Sequence, residues 1–277
     1  HPLQLDKSAL ASALPDAGGK LLVLAHGLCM NDLQWARQGH DHGTALARDL
    51  GYTPAYLHYN SGRHISTNGR EFADQLEILV ANWPVAVKEL AILGHSMGGL
   101  LARSAWHYGT AADHTWPRRL KKLVFLGTPH HGAPMERGGN LIDIALGVSP
   151  YTAPLSRLGK IRSAGITDLR HTWLLDEDWR GRDRFARSSG HHAAVPLPDG
   201  VKCFAIAATT GKQAGDIKDR LVGDGLVPLA SALGCHAEHD RNLMFPPDRQ
   251  WIALETGHLD LLCRKPVYER IRGWLAA

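Results

Sequence analysis

A serine stands between two glycines in Gly94-His95-Ser96-Met97-Gly98, directly after the apolar run Leu90-Ala91-Ile92-Leu93 and before a second apolar stretch. This is Gly-x-Ser-x-Gly in the context of strand, tight turn and helix. Such a turn holds the serine on a strained backbone, so that its hydroxyl stands clear at the top of a sheet. Gly94 and Gly98 suit the turn because Cβ atoms would collide where strand and helix nearly touch. The chemistry implied is nucleophilic catalysis. A serine hydroxyl is a poor nucleophile at its free pKa and needs a base within hydrogen-bond reach. The base in turn needs a carboxylate to hold its tautomer and stabilise the imidazolium.

The chain holds 17 histidines, so the presence of one means nothing by itself. Chain order decides instead: the acid and then the histidine follow the serine, each just past a strand. His258 is the last histidine, lies between the final strand and the final helix, and is preceded by Gly257 for a sharp turn. Asp224, flanked by Gly223 and Gly225, follows the strand that begins at Val201. Asp216 and Asp219 lie nearby in a polar, basic stretch that reads as solvated. The reading is a Ser96–Asp224–His258 triad. Its tetrahedral intermediate needs two N–H donors. One is the amide of Met97, at a helix start where N–H groups are unpaired and the dipole favours negative charge. The other is the amide of Leu28, following His26-Gly27 after the first buried strand.

The elements that must position these groups alternate. Strands are expected at Lys20–Ala25, Tyr52–Tyr59, Glu89–Leu93, Lys122–Leu126, Val201–Ala207 and Gln250–Leu254. Helices are expected at Trp35–Leu50, around Phe72, Leu76, Leu79, Val80 and Trp83 (closed by Pro84), after Ser96, and towards Trp274. Alternation of this kind builds βαβ units and a mostly parallel sheet. The rhythm breaks from Ala133 to about Pro198, where only helical patches occur, at Leu141–Leu146 and Trp173–Leu175. The segment is too long for an ordinary loop. The expected organisation is a core of residues 1–132 and 199–277 with a helical cap or lid inserted at 133–198.

Four stretches together resemble the bacterial lipase/esterase group of the α/β-hydrolase superfamily. They are Ala25-His26-Gly27-Leu28, Gly94-His95-Ser96-Met97-Gly98-Gly99, Gly127-Thr128-Pro129-His130-His131-Gly132, and Gly223-Asp224-Gly225-Leu226-Val227 with His258-Leu259-Asp260. The resemblance spans nearly the whole chain, with the cap as its variable part. It implies the α/β-hydrolase fold, the triad and oxyanion hole above, and ester hydrolysis through an acyl-enzyme. It also implies that His26, Gly27, His95, Thr128, Pro129 and His130 shape the substrate site. Some secreted members of the group bind calcium beside the triad. Here Arg264 lies one helical turn after Asp260, which argues against a metal and for an Asp260 that bonds a nearby loop. Neither His236, His239 and Asp240 nor His191 and His192 supply four zinc ligands at useful spacing.

Composition bounds the rest. The chain has 277 residues, 44% hydrophobic and 21% charged, a globular profile with a sizeable core. Net charge is +4, and the densest basic group, Arg180, Arg182, Arg184 and Arg187, is interrupted by Asp178 and Asp183. This is a solvated face and gives no nucleic-acid signature. Four cysteines are no disulfide framework; one bridge has room, and the sequence does not place it. No run is long enough for a membrane span, and no signal peptide is evident. The cytoplasm is the default expectation, although a first residue of His1 leaves the natural start, and secretion, open. The expected protein is a serine esterase of short- to medium-chain esters, without cofactor or metal, acting on a small-molecule, lipid or polymeric ester. Polyester hydrolysis, acyl transfer or thioester cleavage by the same triad are alternatives. A catalytically silent binding protein on the same fold is a further one.

Overall fold

The computed structural model describes residues 2–132, 163–181, 194–212 and 223–277. Six parallel strands form one sheet: β1 (Lys20–Ala25), β2 (Thr53–Leu57), β3 (Glu89–His95), β4 (Leu120–Leu126), β5 (Lys202–Ala208) and β6 (Gln250–Ala253). Their order is β2-β1-β3-β4-β5-β6. The chain winds outward from β1 to β2, then crosses back to β3 on the other side of β1. This reversal opens a crevice beyond the carboxyl ends of β1 and β3, the usual ligand position in an open parallel sheet. Those ends carry His26-Gly27-Leu28 and Ser96.

Both faces of the sheet are covered, which is why the strands read as continuous apolar runs and not as alternating ones. Leu21, Val23, Leu90, Ile92, Leu123 and Phe125 pack on one face against α3 (Ile65–Asn82) and α4 (Met97–Ala111). Leu22, Leu24, Leu93, Val124 and Leu126 pack on the other, against α2 (His42–Leu50) and the C-terminal helix Lys265–Ala276. The helices α3 and α4 approach closely because Gly69 faces Ser104: a Cβ at Gly69 would lie 2.2 Å from Ser104 Oγ.

Every expected strand is present, with ends moved by one or two residues. Three local readings change. The expected helix from Trp35 to Leu50 is two elements, a 3₁₀ turn at Asp32–Trp35 and α2. Between them Gln38 and Gly39 take positive φ of 49° and 77°, which no helix accommodates. Asp41 then caps α2, accepting from the Thr44 amide at 2.7 Å. The lead-in contains a short helix, α1 (Lys7–Ala13), capped by Asp6 and anchored by the buried Leu10. Trp173–Leu175 is not helical; it joins the short helices Ala164–His171 and Asp176–Trp179, and its side chains are buried. The patch Leu141–Leu146 lies outside the described residues.

Residues 163–181 are docked on α3 by polar contacts. The helix α3 has no side-chain cap of its own. The buried Asp168 carboxylate supplies one, accepting from Ile65 N at 2.7 Å and from His64 Nδ1 at 3.0 Å. His64 stacks on Trp179 with ring centroids 3.8 Å apart, and Arg70 and Arg180 both hold Asp176. All four cysteines are free thiols. Among the described residues, no helix is long and apolar enough to cross a membrane.

Candidate active site

Ser96 follows the last residue of β3 and precedes the first residue of α4, with φ 54° and ψ −123°. A non-glycine residue in that region is strained, and it persists only where its surroundings hold it. Those surroundings are backbone. The Ser96 amide donates to Leu126 O at 2.8 Å, tying the turn to β4. A Cβ on Gly98 would lie 2.1 Å from Ala25 O, and one on Gly94 would lie 2.7 Å from Gly99 Cα. The glycines are what let the start of α4 sit against β1 and β3. At Gly99 the space is taken by Thr128, whose Oγ1 would be 2.1 Å from an added Cβ.

His258 opens a 3₁₀ turn after the short loop that follows β6. Its Nδ1 lies 2.6 Å from Asp224 Oδ2. Asp224 Oδ1 is already occupied by the amides of Leu226 at 3.0 Å and Val227 at 2.8 Å. The carboxylate is thus an acceptor on both oxygens, so Nδ1 of His258 donates to it and Nε2 is the ring nitrogen turned away from the pair. The backbone repeats the link, His258 N donating to Asp224 O at 3.1 Å. Asp224 is 3% exposed and His258 7%, so water competes little for this pair. Gly127, at φ 56°, makes room for it: an added Cβ would meet Asp224 Oδ2 and His258 Cε1, each at 3.1 Å.

Two further residues hold the turn that carries His258. His95 Nε2 lies 3.1 Å from the His258 carbonyl, which can only accept, so His95 donates there. Burial holds the His95 pKa well below its ordinary value, and the ring stays neutral. Arg264 donates to Leu254 O, Glu255 O and Thr256 Oγ1, bracing the approach to His258. Asp260 Oδ2 accepts from the Gly257 amide at 3.0 Å, a bond within the loop. No motif singles out Arg264 in this role, and the role of Gly127 depends on contacts with the distant Asp224 and His258.

Ser96 and His258 line one cavity of about 210 Å³. They are not hydrogen bonded to each other, as is common in the absence of substrate. Gly27, Leu28 and His95 also line it, together with the apolar Met30, Leu226, Leu259 and Leu262. Leu169, from the helix Ala164–His171 between β4 and β5, completes that wall. Met97 opens α4, where its amide has no carbonyl one turn before it. The other expected site residues do not line this cavity. His26 is fully buried behind it, stacked on Tyr59 at 4.3 Å, with a pKa that burial lowers to about 4. Thr128 and Pro129 are buried beside the elbow. His130 borders a second cavity with Arg103. In the other direction, Gln34, Ala36 and Arg37 on the wall were not expected from sequence: Ala36 and Arg37 fell inside the helix expected from Trp35, and Gln34 just before it.

Residues 16–197 match the family of the PGAP1-like alpha/beta domain. The chain belongs to that family. Its fold is that of the α/β-hydrolase lipases and esterases. The mature form of the lipase BlEst2 of Bacillus licheniformis is 17% identical, with 91% of each chain covered and a TM-score of 0.58. Lipase B of Aspergillus fumigatus is 13% identical at a TM-score of 0.54, over 97% of this chain and 57% of that one. The metagenomic carboxyl esterase MGS0156 is 16% identical at a TM-score of 0.53, over 93% and 74%. At such identities the likeness is one of fold. No curated protein matches the chain in sequence.

Proposed function

We propose that the chain is a serine hydrolase of carboxylic esters with short- to medium-chain acyl groups, working through an acyl-enzyme on Ser96. One observation carries this reading. An elbow serine shares a mostly apolar cavity with a histidine whose far nitrogen is bonded to a buried aspartate. In the first step Ser96 Oγ attacks the ester carbonyl carbon while its proton passes to His258 Nε2. The carbonyl π pair moves onto oxygen, which the Leu28 and Met97 amides receive, each donor worth on the order of 10²–10³ in rate. Collapse expels the alcohol, which takes the proton from His258 and leaves the acyl group on Ser96. Water then repeats the sequence: His258 takes its proton, and Ser96 Oγ leaves as the acid forms.

Asp224 stays ionised throughout and stabilises the imidazolium. His95 and Arg264 act as positioning residues for His258. The test is labelling with a fluorophosphonate alongside turnover of p-nitrophenyl butyrate. The expected result is one phosphonate per chain on Ser96, no labelling of Ser96→Ala, and ester turnover by the unmodified protein only. An unlabelled, inert wild type that is correctly folded would instead mark a binding protein on a hydrolase fold.

A further inference from the structure

Arg37 lines the same cavity as Ser96 and His258, and the serine chemistry does not use it. Its root is fixed. Arg37 N donates to His40 O at 2.8 Å and His40 N returns to Arg37 O at 2.9 Å, with Gln38 and Gly39 both at positive φ between them. A two-residue turn of this kind is rigid. The fully buried Trp35 anchors the same segment, its ring edge-on to His95 at 6.4 Å.

The charge on Arg37 is unanswered. Its Nε is buried and makes no hydrogen bond, and no carboxylate among the described residues pairs with it. By contrast Arg48, Arg63, Arg70 and Arg180 each hold an aspartate or glutamate. The group it does act on is the Cys263 thiol, which burial pushes up and so keeps neutral. The described lining of the cavity contains no acid, and half of the residues beside Arg37 are leucine or methionine. A buried Nε–H without an acceptor is costly, and an incoming anion recovers that cost. The planar fork of arginine matches the paired oxygens of a carboxylate or phosphate.

We propose that Arg37 is a specificity residue that selects esters bearing an anionic oxyacid group away from the scissile carbonyl. The proposal rests on the serine-hydrolase reading above. Two matched substrate pairs test it. Mono-p-nitrophenyl adipate against p-nitrophenyl hexanoate puts a carboxylate on the acyl side. 1-Hexanoylglycerol 3-phosphate against 1-hexanoylglycerol puts a phosphate on the alcohol side.

In at least one pair the wild type favours the anionic member by about tenfold or more in kcat/KM. Arg37→Gln brings that ratio close to one, chiefly through KM. Arg37→Lys keeps part of it, having the charge without the fork, and Arg37→Glu inverts it. A merely structural Arg37 would slow both members alike and leave the ratio intact, which overturns the proposal. So does a wild type that turns over the neutral esters yet shows no preference in either pair. Failure of every ester together with failure of phosphonate labelling overturns the serine-hydrolase reading itself.

Discussion

His258 and His130 are both buried imidazoles just beyond the carboxyl end of a strand, and the group facing Nδ1 differs in sign. His258 meets the Asp224 carboxylate at 2.6 Å, whereas His130 meets the Arg103 guanidinium at 3.3 Å. A carboxylate fixes the proton on Nδ1 and offsets the charge that forms when Nε2 takes another. A guanidinium can only donate, so Nδ1 of His130 keeps the lone pair and a second proton would place two cations together. Burial and then Arg103 hold His130 well below its ordinary pKa. Burial also lowers Arg103, to about 10. A histidine's position past a strand does not by itself suit it to act as a base. The sign of its partner does.

The largest effects test the His258 side. Ser96→Ala is expected to lower kcat on p-nitrophenyl butyrate on the order of 10⁶-fold. Asp224→Asn is expected to cost about 10⁴-fold, because an amide cannot hold the same tautomer. An equal loss from Asp219→Asn would move the acid to a residue outside the described region. Gly127→Ala comes next. It puts a methyl against both members of the pair and forces alanine to φ 56°, so about 1–3 kcal/mol of stability should be lost in urea unfolding along with much of the activity.

His130→Gln sharpens the comparison from the other side. If the cation-facing imidazole takes no proton, kcat should fall less than about tenfold while stability falls by about 1–3 kcal/mol. A loss rivalling that of His258→Gln would dissolve the contrast.

A separate effect, read on stability alone, is a pH dependence shared by the buried neutral histidines. Burial holds His26 and His42 at about 4, against an ordinary 6.5. The folded value lies below the unfolded one, so between the two the unfolded chain binds more protons. Their contribution to stability is therefore complete above pH 6.5 and is lost as pH falls towards 4, at up to about 1.4 kcal/mol per pH unit for each. Urea midpoints measured from pH 7 to 4.5 should fall. A flat or rising profile on acidification contradicts neutral burial of these rings.

Much of the architecture was legible in the chain because it rests on local patterns. The continuous apolar runs Lys20–Ala25 and Leu90–Leu93 mark strands covered on both faces, and the glycines around Ser96 mark a backbone approach that no side chain permits. Asp224 and His258 were reachable through chain order on that fold. The segment Gln34–Arg37 was not, since the periodicity of Trp35–Leu50 hides a positive-φ turn at Gln38-Gly39. The capping signal was present in Asp41 and points to a later helix start. His26, Thr128 and His130 illustrate the opposite difficulty. Their motifs lie at strand ends, yet packing turns His26 onto Tyr59, Thr128 into the space at Gly99, and His130 towards Arg103.

Sequence alone determined the strand–turn–helix elbow, the parallel sheet and the chain order of Ser96, Asp224 and His258 past successive strands, since each depends on neighbours a few residues away or on the winding rule of the fold. Only the tertiary structure decided which buried histidine faces a carboxylate and which a guanidinium. It also decided that Arg37 and Leu169 complete one wall with Ser96. Those are meetings between segments far apart in the chain, and burial, by removing water, is what makes the sign and partnering of each group count.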